Sequence, residues 1–141
     1  TMIFRRAVGI AWLGIALAVV VAVSAMPHDP KDWPVPEAAK KMQNPVPRSD
    51  AALSAAKAIF NDQCVSCHGE TGKGDGPDAM MYEVQPADLT DSHMMGMMTD
   101  GEIFYKINEG RGDQPSFKKK IPDSEDIWTV VNYVRSLGQP K

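Results

Sequence analysis

Five consecutive residues, Cys64-Val65-Ser66-Cys67-His68, constrain this chain more than any other feature. Two residues between the cysteines let one turn of chain present both sulfurs to the same object, and the next residue brings an imidazole alongside. A C-x-x-C-H run of this kind is the attachment signature of a c-type haem: the thiols add across the two vinyl groups and the histidine binds the iron. These are the only cysteines in 141 residues. A zinc site would want four ligands, usually a second Cys or His pair, which the sequence does not offer. A thioredoxin-type redox pair would want a βαβ setting, whereas the flanks here are helical in pattern or rich in glycine. With both thiols committed to haem, no disulfide framework remains to be assigned. Attachment of this kind takes place outside the bacterial cytoplasm, so the pentapeptide also implies export.

The length allows one small domain. Net charge is −3, but its distribution is uneven: residues 1–49 hold six of the fifteen Lys and Arg and three of the eighteen Asp and Glu. The remainder is therefore acidic, nine basic residues against fifteen acidic ones. Two haem propionates would add to that, which argues against nucleic acid as a partner.

Arg5-Arg6 precedes twenty uncharged, mostly apolar residues, Ala7 to Met26. At about 1.5 Å per residue they match the ~30 Å hydrocarbon core of a bilayer. A cleaved signal peptide is the rival, with Val23-Ser24-Ala25 as its small-residue cleavage site, but the run is longer than a typical signal core. The expectation is a retained single-pass anchor over 1–26 in the bacterial cytoplasmic membrane, paired arginines inside and the haem domain on the periplasmic side. Residues 27–49 then hold six of the eleven prolines. Such a stretch is expected to be extended or irregular, and residues 27–48 read as a linker whose reach approaches roughly 70 Å if polyproline-like throughout. It would suit either a swinging domain or a strap laid across a partner.

The haem domain, 49–141, reads as all-α. Ser49 is placed as a helix N-cap with Asp50 in the first turn, and Leu53, Ala56 and Phe60 form a stripe leading into Cys64. Gly69 to Pro77 is too rich in glycine for regular structure and is expected to wrap the haem edge. Thr99-Asp-Gly-Glu102 is a capping box, and Gly110 ends the helix it opens. Asp123, Glu125 and Asp126 start a last helix whose apolar face is Ile127, Val130, Val131, Val134 and Leu137, and which stops at Gly138 and Pro140.

Over about residues 49–139 these features resemble the class I cytochromes c, and the stretches Gln85-Pro-Ala-Asp-Leu-Thr90 and Trp128 to Leu137 look like the bacterial dihaem and oxidase-associated versions. The resemblance implies a cytochrome c fold, three to five helices around one covalent haem c, and a carrier of single electrons between redox proteins rather than an enzyme. Cys64 and Cys67 match the thioether cysteines and His68 the proximal ligand. Pro77 matches the proline whose carbonyl takes the imidazole N–H. Ala56 and Phe60 match the residues where the first helix crosses the last, Tyr133 their aromatic partner, and Trp128 the aromatic near a propionate.

One position departs from the pattern. The family's distal ligand is a methionine, usually in a Met-Pro dipeptide, and here Gln114-Pro115 stands there, forty-six residues after His68, within Gly110-Arg-Gly-Asp-Gln-Pro-Ser-Phe117. Pro115 and Phe117 of this stretch join the haem-contacting set. A thioether favours ferrous iron and raises the potential; an amide oxygen does neither. Three outcomes stay open: Gln114 ligates weakly, water takes the position, or another methionine fills it. Met80, Met81, Met94, Met95, Met97 and Met98 lie in the intervening chain; Met94, Met95 and Met97 stand in a flexible-looking Ser-His-Met-Met-Gly-Met stretch able to fold over the iron. His93 reads as a surface residue first and as a further distal ligand second. An open site would shift the expected function toward small-ligand or peroxidatic chemistry. Lys118-Lys119-Lys120 reads as a solvated turn, or as a positive patch for an acidic redox partner.

Overall fold

The computed structural model describes residues 33–139. The apolar segment 7–26 and the first part of the proline-rich stretch lie outside the described residues. Six α-helices follow in order: α1 Glu37–Lys40, α2 Asp50–Gln63, α3 Val65–His68, α4 Ser92–Gly96, α5 Asp100–Glu109 and α6 Ser124–Leu137, with a 3-10 turn at Ala79–Met81. Among the described residues the only β-type pairing is an isolated bridge between Arg111 and Gln114. No helix among them is long and apolar enough to cross a membrane.

The helix ends obey their local chemistry. Ser49 Oγ accepts the Ala52 N–H at 3.2 Å, Thr99 and Glu102 form a reciprocal capping box, and the Asp123 carboxylate accepts the Glu125 N–H at 2.8 Å. These caps satisfy donors that a first helical turn otherwise leaves unpaired.

The core forms where α2 packs on α6. Ala56 and Phe60 are fully buried, and Phe60 shares one cluster with Val130, Val131, Val134, Trp128, Ile103 and Met95. The Phe60 ring meets Tyr133 with centroids 5.2 Å apart, and Trp128 stacks on Phe104 of α5 at 4.1 Å. Each fully buried large side chain contributes about 2 kcal/mol. A second cluster, Phe117, Ile121 and Ile127, fastens the loop after α5 to the start of α6.

Two expectations change here. Residues 33–48, assigned above to a linker, are packed on the body. Val35 and Ala39 are buried, α1 lies on α5, and Asn44 hydrogen-bonds α6. The prolines keep most of this stretch irregular, as their chemistry requires, yet Pro36 serves as the N-cap of a short helix, its carbonyl accepting the Ala39 and Lys40 N–H groups. The methionine-rich stretch is also not a loose flap. Asp91 caps it into α4, accepting from the N–H groups of His93 and Met94, and the Arg135 guanidinium holds the carbonyls of Met95 and Met98 while its Nε binds Asp100 at 2.8 Å.

Candidate haem-binding site

Helix α2 runs out at Gln63, and the backbone kinks at Cys64 before restarting as α3. The kink is covered by hydrogen bonds on both sides: Cys64 N–H to the Phe60 carbonyl at 2.8 Å, and His68 N–H to the Cys64 carbonyl at 2.9 Å. Cys64, Cys67 and His68 thus share a single turn seated on the main core, with Cys64 and Val65 packed against it. Both thiols are free and partly buried. Burial, the neighbouring Cys67 and, in the opposite sense, Lys120 set the Cys64 thiol, which is pushed up to about 12. It therefore stays protonated at neutral pH, in the S–H form that adds across a vinyl double bond. Among the described residues, no group of three or more His, Cys, Asp and Glu could hold a metal ion by themselves, which leaves zinc without a ligand set.

The glycine-rich loop wraps this turn. Gly74 N–H donates to the His68 carbonyl, Gly76 N–H to the Cys67 carbonyl and Asp78 N–H to the Ser66 carbonyl, at 2.9, 3.1 and 2.8 Å. A Cβ at Gly76 would stand 2.4 Å from the Ser66 carbonyl oxygen, so only glycine lets the loop come this close. Because the loop turns back here, Pro77 ends exposed beside α3. The carbonyl facing His68 is Ala87's instead, with Nδ1 3.1 Å from it. This corrects the expectation for Pro77: the irregular run from Gln85 to Leu89, tied by Leu89 N–H to the Gly72 carbonyl, supplies the acceptor. With Nδ1–H donated to Ala87, Nε2 is left as the lone-pair nitrogen, as a metal-binding imidazole requires. Burial also lowers the pKa of His68, against a smaller opposing effect of the Ala87 carbonyl. An oriented imidazole and two free thiols on one turn fit a covalent haem.

The distal candidates are dispersed. Gln114 is drawn onto α5: its Nε2 donates to the Lys106 carbonyl at 2.9 Å, and its backbone pairs with Arg111. Met95 is buried within the core cluster, and Met94 packs against it. Met97, Met80 and Met81 are exposed, and Met98 Sδ accepts from Lys106 Nζ. His93 is exposed, as expected of a surface residue. Pro115 is exposed; Phe117 is buried, its N–H bonded to the Ile107 carbonyl and its ring under Lys120 Nζ at 5.4 Å. Lys120 lies within Coulombic reach of the Cys64 thiol, and Lys118 pairs with Glu109 at 3.3 Å.

Two contributors lay beyond the sequence reading. Ala87 acts through its carbonyl, which no residue type advertises. The Tyr82 phenol is pushed up, chiefly by the neighbouring Cys67 and then by burial and the charges of Asp78 and Asp113.

The family model for cytochrome c oxidase, cbb3-type, subunit III matches residues 51–134. The chain belongs to that family. It is a cytochrome c domain, an electron carrier, and the family implies a covalently bound haem c. Among curated relatives of this cytochrome, the cbb3-type oxidase subunit CcoP of Rhodobacter capsulatus is 34% identical over 100 residues, covering 65% of this chain and 31% of the subunit. The chain thus spans about a third of that relative's length. Cytochrome c6 of Cladophora glomerata is 30% identical over 86 residues, covering 60% of this chain and 89% of the relative. A solved structure, the Kuenenia stuttgartiensis reducing HAO-like protein complex, contains a chain with a TM-score of 0.59 at 28% identity, covering 79% of this chain and 55% of that one. The cytochrome c fold expected from the sequence is the one observed.

Proposed function

We propose that this cytochrome is membrane-tethered, carries one haem on Cys64, Cys67 and His68, and passes single electrons between redox proteins on the outer side of a bacterial cytoplasmic membrane. The observation that carries this reading is the His68 imidazole, oriented by the Ala87 carbonyl one turn from both thiols. When bound, haem supplies a ferrous–ferric couple that stores one electron. Cys64 and Cys67 would hold that group by two S–C bonds and Nε2 of His68 would bind its iron, while the core around Phe60 and Trp128 seats the turn that carries them. The apolar run 7–26 supports the tether, and the relatives named as oxidase subunits support a place in or beside a respiratory complex. A redox titration of the membrane fraction tests it: a single one-electron wave with one haem per chain is expected. A chain found only in the soluble fraction, or a silent chain, would contradict it.

Gln114 favours a second reading of the distal face. With its amide nitrogen bound to Lys106 and methionine missing from this loop position, the sixth position would be weakly held and open to small ligands. Rapid and complete carbon monoxide binding by the reduced protein is the outcome this reading expects; indifference to carbon monoxide supports the six-coordinate carrier.

A further inference from the structure

The proline-rich lead, if free from residue 27 to residue 49, would let the domain roam tens of ångströms from its anchor. From Trp33 onward, however, it is fastened down. Asn44 is the buckle: its Nδ2 donates to the Trp128 carbonyl at 3.1 Å and to Asn132 Oδ1 at 3.0 Å, and its own Oδ1 accepts the Val46 N–H at 2.9 Å. Asn132 Nδ2 closes the ring on the Val46 carbonyl at 3.0 Å. Upstream, Val35 and Ala39 are 8% and 7% exposed, and Gly101 at the head of α5 admits the Ala39 carbonyl so closely that a Cβ there would stand 1.9 Å from it. The Trp33 ring has Lys106 Nζ 5.4 Å and Arg111 Cζ 5.9 Å from its centroid, a cation–π pairing with α5 and the loop after it.

Only residues 27–32 then separate the apolar run from the first seated residue. Six residues fully extended span about 20 Å. A domain of this size has a radius of gyration of about 13 Å and hence a diameter of roughly 33 Å, so the lead is shorter than the body is wide. We propose that residues 33–48 are a seated collar that keeps the haem domain riding on the surface of its own membrane, Trp33 corner nearest the lipid, so that it does not swing as a shuttle. Trp33 is suited to that place, because tryptophan concentrates at the membrane–water interface. The electron partner is then one that brings its redox centre to that surface. This inference rests on the tether proposed above.

The test uses the full-length holoprotein in vesicles carrying a fluorescent headgroup label, with the haem as energy acceptor. Flotation with the vesicles reports the tether alone; a chain that does not float overturns the tether, and the membrane part of this inference with it. In a chain that floats, strong quenching is expected, falling several-fold when a twenty-residue Gly/Ser stretch is inserted between Pro30 and Lys31. Hydrogen exchange on the same protein reads the collar independently. The amides of Ala39, Lys40, Met42 and Val46 should be protected, and Asn44→Ala should speed exchange at Val46 by about tenfold, as loss of a single hydrogen bond predicts. Quenching indifferent to the insertion, or collar amides exchanging like a free peptide, would overturn the inference.

Discussion

Thiol addition to a vinyl group consumes an S–H, and burial and the neighbouring Cys67 push the Cys64 thiol up to about 12. Replacing either cysteine by alanine leaves one thioether and one vinyl group still conjugated with the ring, so the visible bands of the reduced haem are expected at longer wavelength in Cys64→Ala and in Cys67→Ala. An unshifted spectrum in both would mean that neither sulfur is bonded. Gln114→Met puts a soft thioether on the loop where the class I resemblance expects the distal methionine; a higher midpoint potential and the optical band of a sulfur–ferric bond are expected. Unchanged spectrum and potential would show that the 110–117 loop does not face the iron. At this scale the sequence was readable where chemistry is tied to residue type. Cysteine and histidine declare themselves, whereas the Ala87 carbonyl does not. Pro77 misled because its position after the glycine loop looked right, while the hydrogen bonds of that loop to Ser66, Cys67 and His68 carry the chain back past α3 before the acceptor is reached.

Helices α2, α5 and α6 were legible because each is long enough for its apolar spacing and caps to show. Helix α4 was not, since five residues are fewer than one periodicity window needs. What makes it a helix is distant in sequence: Asp91 begins it and Arg135, from the end of α6, holds the carbonyls at its other end. By sequence position alone Arg135 is only a basic residue in the last turn of α6. Truncating it leaves Asp100 and two carbonyls without their partner, and hydrogen bonds to charged groups are worth about 2 kcal/mol each. Arg135→Ala is therefore expected to lower the stability of the holoprotein by about 2–4 kcal/mol in denaturant unfolding, and Arg135→Lys to recover little, because lysine lacks the planar fork that serves three acceptors at once. A loss below about 0.5 kcal/mol, the level of an ordinary surface substitution, would refute this account of α4.

For the molecule as a whole, the family and fold were legible in ninety or so residues around one pentapeptide, but its outer limit was not. The stretch 33–48 has the composition of a linker, and its seat depends on amide pairing between residues as far apart as Asn44 and Asn132, which no local pattern displays. Single alanine replacements at these two sites are expected to cost about 1 kcal/mol each, with the double variant costing clearly less than their sum because they share one network. Strict additivity in unfolding experiments would separate them. Everything above depends most on the thioether bonds themselves, and mass spectrometry of the tryptic fragment spanning Cys64 to His68, isolated from the producing cell, measures them directly. The fragment is expected to carry the mass of one haem that acidified acetone does not remove. Two alkylatable thiols on that fragment, with any haem extracted freely, would contradict it.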